Sequence, residues 1–549
     1  MQTEFGKAET LGVAEIPQVA PASLGRRNFL LGAGAAAGAI LFGGCTLSQN
    51  DSGSGGTGGP AGGKLIVALD GEPPTLWQNL EYHQSGFTVG SAIMEYLVQA
   101  DPQRPAQGQQ PGLALDWKPV GERRWEFRLR EGVRFHNGEN WDAEAAKYNL
   151  ERLFDFKPPS PLLFRIQPFE SAEVKDKYTL VINTKEPWAM CPVGLSQVQF
   201  APPAYLEEVG LEGFAQAPIG TGPYELAEWR KGDAIVIERF DDYWGKVPSI
   251  KTIEFRGIPD SATRLAALQS GEVHLAEKIS LEDLDTLAAD GFIVADTPEA
   301  RSNLLSPYIA KASADNHPTS DPRVRLAMNL AVDRQGIIDT VLNGMGQLTQ
   351  GQVVGPDAFG WNPRIEEYPY DPARAKDLLA DAGFSDGLDL GSLYRGEPSA
   401  GLKEAEFVEV LRTQFAQVGI EIRVEPMEQS TFLKRALQDT DLDYWQVGGW
   451  DYFPVMDAAF GLMWYDTDAF LGMDLNDSDY DKVFRASNRE FDVKKRRKLL
   501  QECSRIVHES PGPVSLWQNH KTYVHSPQVK GFIPTPDSRI HLNGLSIGK

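Results

Sequence analysis

The sequence predicts an α/β protein of several domains, because strand and helix patterns alternate at many places along the chain. Between Ala217 and Ala276 the pattern predicts a strand, a hairpin, a further strand, a helix and a last strand. A second unit, from Leu388 to Val424, has the pattern strand, helix, strand. The chain has 549 residues, of which 42% are hydrophobic and 23% are charged. This length and composition are typical of a soluble globular protein with about three domains.

The first residues have the features of an export signal. Arg26 and Arg27 precede an apolar run, rich in Ala and Gly, from Phe29 to Phe42. This run of 14 residues is too short to cross a bilayer of about 30 Å comfortably as a helix. We therefore interpret residues 1–44 as a signal peptide, and an uncleaved transmembrane anchor is the alternative.

A flexible linker is predicted after the signal. Residues 46–63 consist mostly of Ser, Gly, Asn, Asp and Pro, and they contain too little apolar surface to fold. A chain of this kind has a root-mean-square reach of roughly 20–25 Å. The net charge of −23 argues against nucleic acids and anionic membrane surfaces as partners.

The folded body is predicted to begin at the short apolar strand from Lys64 to Leu69. Farther along, apolar and charged residues alternate from Trp125 to Leu129 in a strand with one solvated face. Asp142 is a suitable N-cap for the helix that follows. His136 lies in an Asn-Gly turn, which favours a structural role over a role as a ligand or a base.

Glycine and proline residues indicate where turns and helix ends are predicted. Gly220 and Gly222 make a turn with Pro223, because glycine accepts positive φ and proline fixes its own φ. Gly271 ends the helix of the first unit. In the second half of the chain, a helix is predicted from Asp321 to Arg334, which is opened by a proline in its first turn.

Cys191 and Cys503 are the thiols that remain beside Cys45. We interpret both as small buried apolar residues, and a disulfide between them is the alternative.

The densest aromatic region runs from Asp443 to Tyr465, where 8 of 23 residues are aromatic against 10% for the whole chain. This is more than a core strand and a turn need, so the region is a candidate wall of a binding site. Its aromatic residues are Tyr444, Trp445, Trp450, Tyr452, Phe453, Phe460, Trp464 and Tyr465.

Sequence motifs of the common catalytic and metal sites are absent. The chain has no Gly-x-Ser-x-Gly elbow, no His-Glu-x-x-His helix and no Cys-x-x-Cys pair, and its eight His residues form no cluster with ligand spacing. The acidic stretches at 439–443 and 474–481 lack the glycine and glutamate of a calcium loop. We therefore expect no enzyme activity, no cofactor and no metal. An exported hydrolase is the alternative, because 76 acidic residues could include a catalytic pair.

Several motifs together resemble a known family. They are the run from Gly220 to Tyr224, the run Asp242-Tyr243-Trp244-Gly245, and the segment from Ile258 to Val273 with Arg264 inside it. This order of motifs resembles the central signature of the peptide/nickel/opine group of extracellular solute-binding proteins, which serve ABC importers. The resemblance implies a two-lobed periplasmic-binding-protein-like α/β fold, class II, of the large peptide-binding type with an extra small domain and a hinge.

The resemblance also implies domain boundaries. The first lobe is expected at 64–98, 217–296 and 513–549, the small extra domain at 99–216, and the second lobe at 297–512. The chain then crosses between the lobes near Ala217, Asp296 and Pro513. Such crossings allow the lobes to close as rigid bodies around a ligand.

The resemblance implies a ligand site in the cleft between the lobes. In family members the segment that corresponds to Tyr82, Ser85 and Phe87 lies near this cleft, although an ordinary surface loop is the alternative. In peptide-binding relatives an arginine holds the ligand's carboxylate, and Arg395 lies where that arginine falls; a surface ion pair of Arg395 is the alternative.

The same relatives pair the ligand's amino group with an aspartate that shortly follows a tryptophan. Here Trp450 is that tryptophan, Phe453 falls at the aspartate's place, and Asp451 is the nearest substitute. Trp464 belongs to the same aromatic region. The expected ligand is a peptide or a similar small anion or zwitterion, whose apolar part the aromatic side chains cover.

The residues before the linker also match known export motifs. Arg26 and Arg27 resemble a twin-arginine leader, and the run from Leu41 to Cys45 resembles a lipobox, in which the thiol of Cys45 takes the lipid. The resemblance thus implies an exported monomer, anchored by lipid at the outer face of the membrane or periplasmic, that delivers its ligand to the permease of an ABC importer. A lipoprotein that presents ligand to a sensor is the alternative.

Overall fold

A computed structural model of the chain describes residues 63–81, 83–101, 109–157, 159–307, 309–396, 403–427, 431, 435, 445–451, 475 and 477–548. All of these residues belong to one compact unit, Pro60–Lys549. Within this part, no helix is both long and apolar enough to cross a membrane. The predicted signal peptide, Cys45 and most of the predicted linker lie outside the described residues.

Strands and helices alternate in the described residues, as the sequence predicts. In chain order the strands are β1 (Lys64–Leu69), β2 (Val98–Ala100), β3 (Gln109–Pro111), β4 (Ala114–Pro119), β5 (Arg124–Leu129), β6 (Phe169–Asp176), β7 (Thr179–Thr184), β8 (Tyr224–Arg230), β9 (Ala234–Arg239), β10 (Thr252–Gly257), β11 (Leu275–Glu277), β12 (Ile293–Pro307), β13 (Gly346–Leu348), β14 (Leu388–Gly396), β15 (Ile420–Met427), β16 (Trp445–Asp451), β17 (Val514–His525), β18 (Val529–Lys530) and β19 (Ser546–Ile547). The helices are α1 (Gln84–Ile93), α2 (Ala143–Arg152), α3 (Cys191–Leu195), α4 (Pro203–Gln216), α5 (Ser261–Gln269), α6 (Leu284–Ala289), α7 (Ile309–Ala314), α8 (Pro322–Leu330), α9 (Arg334–Thr340), α10 (Pro372–Asp381), α11 (Glu404–Gln417), α12 (Ser478–Arg489) and α13 (Val493–Glu509).

One sheet of eleven strands runs through the described residues. Its strand order is β15, β14, β16, β12, β17, β11, β1, β10, β9 and β8, and β13 pairs with β17. Strands β10 and β11 flank β1 in parallel, and β15 and β16 flank β14 in parallel. We call β8, β9, β10, β1 and β11 the first sheet half, and β16, β14 and β15 the second sheet half. The antiparallel pair of β12 and β17 joins the two halves.

The two central strands are long enough to belong to both sheet halves. β12 has 15 residues and β17 has 12. The beginning of β12 pairs with the end of β17, which also pairs with β11, whereas the last residues of β12 pair with β16. The register of β12 and β17 shifts between Pro298 and Ser302, and again between Ser302 and Leu304. Such irregularities bend a strand pair, and here they lie where the chain passes from one half to the other.

Different apolar cores support the two sheet halves. The second half packs with α8 to α11 in a cluster that includes Leu305, Val324, Leu379, Phe407 and Trp517. One face of the first half packs with α5 and α6 in a cluster that includes Ala68, Leu268, Ala276, Leu287 and Val524. The largest cluster joins the first half to the region between β2 and α4.

A separate antiparallel sheet of four strands has the order β4, β5, β7, β6. Apolar side chains of β5 are buried in the alternation that the sequence predicts. Asp142 caps α2, because its carboxylate accepts hydrogen bonds from the backbone N–H groups of Glu144 and Ala145, both at 3.1 Å. Residues of α12 and α13, which the sequence assigns to the second lobe, share the large apolar cluster with this sheet. The domain boundaries stay a prediction.

Both units that carry the fold prediction are confirmed. The segment from Ala217 to Ala276 forms β8, β9, β10, α5 and β11, and the later unit forms β14, α11 and β15. The helix expected from Asp321 to Arg334 is interrupted. α8 ends at Leu330, and Asp333 begins α9 by accepting a hydrogen bond of 2.9 Å from the N–H of Gly336.

The turn at Gly220 and Gly222 forms, but the reason given for its glycines is wrong. Neither glycine has positive φ. Instead, the turn passes very close to the end of α1. A Cβ atom on Gly220 would lie 2.1 Å from the carbonyl oxygen of Ile93, and one on Gly222 would lie 2.4 Å from that of Ala92. The two residues must be glycine because of this close approach.

The prediction for the two remaining thiols is confirmed. Cys191 and Cys503 are both buried, and no disulfide joins them.

Candidate functional site

The first sheet half ends in a buried group of charges. Asp70 directly follows β1 and Lys278 directly follows β11, and because these strands are parallel their carboxyl ends meet. The ammonium group of Lys278 forms an ion pair with Asp70, and the hydroxyl of Ser85 donates a hydrogen bond of 3.0 Å to the same carboxylate. Burial alone would raise the pKa of Asp70, but the charge of Lys278 and these hydrogen bonds lower it to about 2.

Arg264 holds the backbone at this edge. Its fully buried guanidinium donates to four carbonyl oxygens, those of Ile258, Pro259, Glu277 and Lys278, at 2.6 to 3.1 Å. The four acceptors lie just after β10 and at the end of β11. Arg264 therefore fixes the shape of the edge.

A buried ion pair connects β17 to this edge. Lys521 and Glu277 are both almost completely buried, and their charged atoms lie 2.9 Å apart. Burial opposes the charge on Lys521, but the carboxylate of Glu277 outweighs this effect and raises the pKa of Lys521. The ammonium group also donates to the carbonyl oxygen of Ser538, at 2.8 Å, and the side chain of Gln84 donates to the same oxygen.

Ser85 and Phe87, two of the expected ligand contacts, are buried within the protein. Ser85 is held by Asp70, as described above. The ring of Phe87 is 3% exposed and lies under the guanidinium of Arg539, whose central carbon is 4.5 Å from the ring centroid. Both residues are in α1, whose first turn faces the charged edge. The third expected contact from this segment, Tyr82, lies outside the described residues.

The second sheet half brings the other expected contacts to one edge. Arg395 is the penultimate residue of β14, and Asp451 is the last residue of β16. These strands are parallel, so their carboxyl ends lie at the same edge, which is where ligands bind in open α/β sheets. The backbone of Trp450 pairs with Ser302 on β12. Phe453 and Trp464 lie outside the described residues.

Arg301 is a residue of this edge that the sequence did not single out. It lies on β12, and its Cα is the direct partner of Asp451 across the antiparallel pair. It also lies between Pro298 and Ser302, the two residues that flank the first register shift. The sequence signal was weak, because an isolated arginine in a strand matches no motif.

Glu404 adds a buried carboxylate near the two arginines. It is the first residue of α11 and is 9% exposed. Burial raises the pKa of Glu404, whereas the positive charges of Arg301 and Arg395 act to lower it. The edge thus combines two guanidinium groups, one buried carboxylate and the backbone of Asp451, and such a set is suited to binding a zwitterionic or anionic solute.

His136 has the structural role that the sequence favours. Its ring nitrogen Nε2 lies 2.9 Å from the carbonyl oxygen of Gly222, and Nδ1 accepts a hydrogen bond of 3.4 Å from the N–H of Gly220. The ring therefore ties one turn to another. Among the described residues, no group of three or more His, Cys, Asp or Glu side chains is placed to hold a metal ion.

Comparison with known families identifies the relatives of this chain. Residues 108–470 match the family described as bacterial extracellular solute-binding proteins, family 5 Middle. The chain belongs to this family. The family description is that of solute-binding proteins, and it indicates an exported protein.

Individual relatives agree with this assignment. The chain is 31% identical to the glutathione-binding protein GsiB of Salmonella paratyphi A over 312 residues, which are 55% of this chain and 58% of that protein. The alignment thus spans just over half the length of this relative.

Solved structures share the fold across almost the whole chain. NikA from Brucella suis, in complex with Fe(III)-EDTA, is 25% identical with a TM-score of 0.77, and the match covers 88% of this chain and all of NikA. DppA from Helicobacter pylori, in complex with the peptide STSA, is 24% identical with a TM-score of 0.74, and the match covers 89% of this chain and 98% of DppA. The fold of this family-5 protein is therefore the expected two-lobed α/β fold of periplasmic binding proteins.

Proposed function

We propose that this family-5 protein captures a small peptide or a similar zwitterionic or anionic solute between its two lobes and delivers it to the permease of an ABC importer. The observation that carries the proposal is that Arg301 and Arg395 both act on the buried carboxylate of Glu404, while Arg301 is the cross-strand partner of Asp451. The carboxyl edge of the second sheet half lies beside the strand pair that joins the two sheet halves. A ligand held there lies next to β12 and β17, the strand pair at which we expect the chain to bend when the two lobes close.

Two observations support the proposed ligand class: the charged side chains of the candidate site and the name of one relative. GsiB is named for binding glutathione, which is a peptide. Arginine matches a carboxylate with two parallel hydrogen bonds, and an acidic group matches an ammonium group. We infer that Arg395 holds a carboxylate of the ligand and that Asp451 holds its amino group. We also infer that Tyr82, Ser85, Phe87, Trp450, Phe453 and Trp464 shape the surrounding cleft.

Titration calorimetry tests this proposal. Reduced glutathione, dialanine and trialanine are titrated into wild-type protein, after mass spectrometry of the protein isolated by gentle extraction has shown what co-purifies. For the peptide that binds, Arg395→Ala is expected to cost about 2–5 kcal/mol, because it removes one partner of a desolvated charge pair. Arg412→Ala on α11, whose partner Glu409 lies on the same exposed helix face, is the matched control. If Arg395→Ala reduces the binding free energy by less than about 0.5 kcal/mol, Arg395 does not hold the carboxylate. If none of the peptides binds to the wild type, the proposed ligand class is contradicted.

We further infer that Cys45 carries a lipid and that the chain is exported by a twin-arginine leader as a monomer without catalytic activity. The apolar run ends at Cys45, and a segment too polar to fold begins there. Replacement of Cys45 by Ser, followed by detergent partition, tests the anchor. The variant is expected to move to the aqueous phase. Unchanged membrane retention would favour an uncleaved transmembrane anchor instead.

A further inference from the structure

Arg301 and Asn303 lie on the same face of β12, because side chains two residues apart in a strand point the same way. The next residue on this face, Leu305, packs in the core of the second sheet half. The face therefore runs from that core towards Asp451, the Cα partner of Arg301 on β16. Asn303 is 3% exposed and Arg301 is half-buried.

Both side chains keep a buried donor without an acceptor among the described residues. These donors are Nε of Arg301 and Nδ2 of Asn303. Buried polar groups in folded proteins nearly always have a partner. β12 also has unpartnered hydroxyls, those of Ser302 and Ser306, but the atoms of Arg301 and Asn303 differ from them because they can only donate. A group that only accepts hydrogen bonds suits both donors, and a carboxylate is such a group.

The local charge also favours an anion at this place. Arg301 and Arg395 both act on the buried carboxylate of Glu404. The proposed function assigns Arg395 to one carboxylate of the ligand. A second carboxylate of the ligand would balance Arg301.

We propose that Arg301 and Asn303 form a second carboxylate subsite, so that the protein selects peptides with two carboxylates over peptides with one. This inference rests on the proposed function and specifies its ligand class. Reduced glutathione has two carboxylates and one ammonium group. In this proposal Arg301 and Arg395 each bind one carboxylate, and Asp451 binds the ammonium group.

The experiment compares glutathione with its two monoamides, in each of which one carboxylate is converted to an uncharged amide. Calorimetry is performed on the wild type, Arg301→Gln and Arg395→Gln, with Arg412→Gln as the control for loss of a surface arginine. The wild type is expected to bind glutathione at least tenfold more tightly than either monoamide. Arg301→Gln is expected to lose the preference over one monoamide only, and Arg395→Gln the preference over the other.

The outcomes separate this inference from the proposed function. If the wild type binds a monoamide or dialanine as tightly as glutathione, the protein recognises only one carboxylate of the ligand. This result with the wild type alone excludes the second subsite. Retention of both preferences by Arg301→Gln overturns the assignment to Arg301. Thermal unfolding shows whether this variant folds, and Arg301→Lys, which keeps the charge, is expected to retain part of the preference. A wild type that binds no peptide contradicts the proposed function itself.

Discussion

A partly buried histidine shows how a single residue couples the fold to pH. His136 donates through Nε2 to the carbonyl oxygen of Gly222 and accepts through Nδ1 from the N–H of Gly220, so the neutral ring satisfies both contacts. Burial lowers the pKa of His136 from 6.5 to about 4, although the carbonyl of Gly222 acts in the opposite direction. A proton on Nδ1 would break one contact and place a charge in the interior.

Stability is therefore expected to fall as the pH drops from 6.5 towards 4. Below 6.5 the unfolded chain binds a proton at His136 that the folded chain does not, and this difference favours unfolding. At about 1.4 kcal/mol per pKa unit, the total loss is at most roughly 3.5 kcal/mol. Urea unfolding at a series of pH values measures it, with His136→Gln as the comparison.

Measurements at pH 8 provide the control. At this pH the ring of the wild type is neutral in the folded and in the unfolded protein, so the difference in stability between the wild type and His136→Gln reports only the loss of the side chain. Between pH 6.5 and 4 the curve of the variant is expected to be flatter than that of the wild type. Two parallel curves would show that His136 does not contribute to the acid sensitivity.

At the scale of elements, the turn from Gly220 to Pro223 shows what a sequence pattern reveals and what it hides. The pattern located the turn and its strand correctly. It gave the wrong reason for the glycines, because the spacing of residues along the chain does not show which backbone will approach from elsewhere. The end of α1, more than 120 residues earlier, provides the constraint.

Gly222→Ala is expected to destabilise the protein by about 1–3 kcal/mol, the usual cost of adding a methyl group where none fits. Its Cβ would lie 2.4 Å from the backbone oxygen of Ala92, which cannot move without disturbing α1. Gly71→Ala is the matched control, because no atom lies within 4 Å of its Cβ position. Urea unfolding compares the two variants. Equal stability of both would show that the backbone at α1 yields easily.

Sequence patterns do not show contacts between distant parts of the chain, and this explains which part of the candidate site the sequence could predict. Arg395 was singled out through the family resemblance, at the start of a strand, helix, strand unit, and it lies near the end of β14; its contact with a ligand stays a prediction. Arg301 was missed because its position depends on the pairing of β12 with β16, whose partners are 150 residues apart. Ser85 and Phe87 were expected to contact the ligand, which stays a prediction. Both are buried in the structure: Ser85 donates to Asp70, only 15 residues earlier, whereas Phe87 lies under Arg539 from the far end of the chain, a contact that no sequence pattern shows.

At the scale of the whole molecule, an ion pair among the described residues connects the two sheet halves away from β12 and β17. Glu282 lies in a short turn, Leu281–Asp283, whose Leu281 packs in the core of the first half. Lys403 immediately precedes α11, whose Phe407 packs in the core of the second half. The side chains of Glu282 and Lys403 form an ion pair. The hydrogen bonds from Lys403 and Ser280 lower the pKa of Glu282 to about 2.

The position of this pair suggests a role in closure, since any motion that separates the two halves must break it. Glu282 is half exposed, and exposed pairs contribute only about 0.2–1 kcal/mol. Such an energy cannot hold the lobes together alone, but it shifts an open–closed equilibrium by about 1.5- to 5-fold. Glu282→Gln and Lys403→Met are each expected to speed ligand dissociation by this factor and to increase the radius of gyration of the ligand-free protein in solution.

Small-angle scattering and stopped-flow dissociation measure these effects. The charge-exchanged double variant, Glu282→Lys with Lys403→Glu, is expected to restore the wild-type behaviour, because it keeps the attraction and reverses only its direction. In about 1 M salt, where charges are screened beyond about 3 Å, the differences between the wild type and the single variants are expected to shrink. Variants of the pair Glu409 and Arg412, which lies within α11 alone, are expected to leave closure unchanged. If those variants change the dissociation rate as much as Glu282→Gln does, the effect is one of general surface charge and the pair has no part in closure.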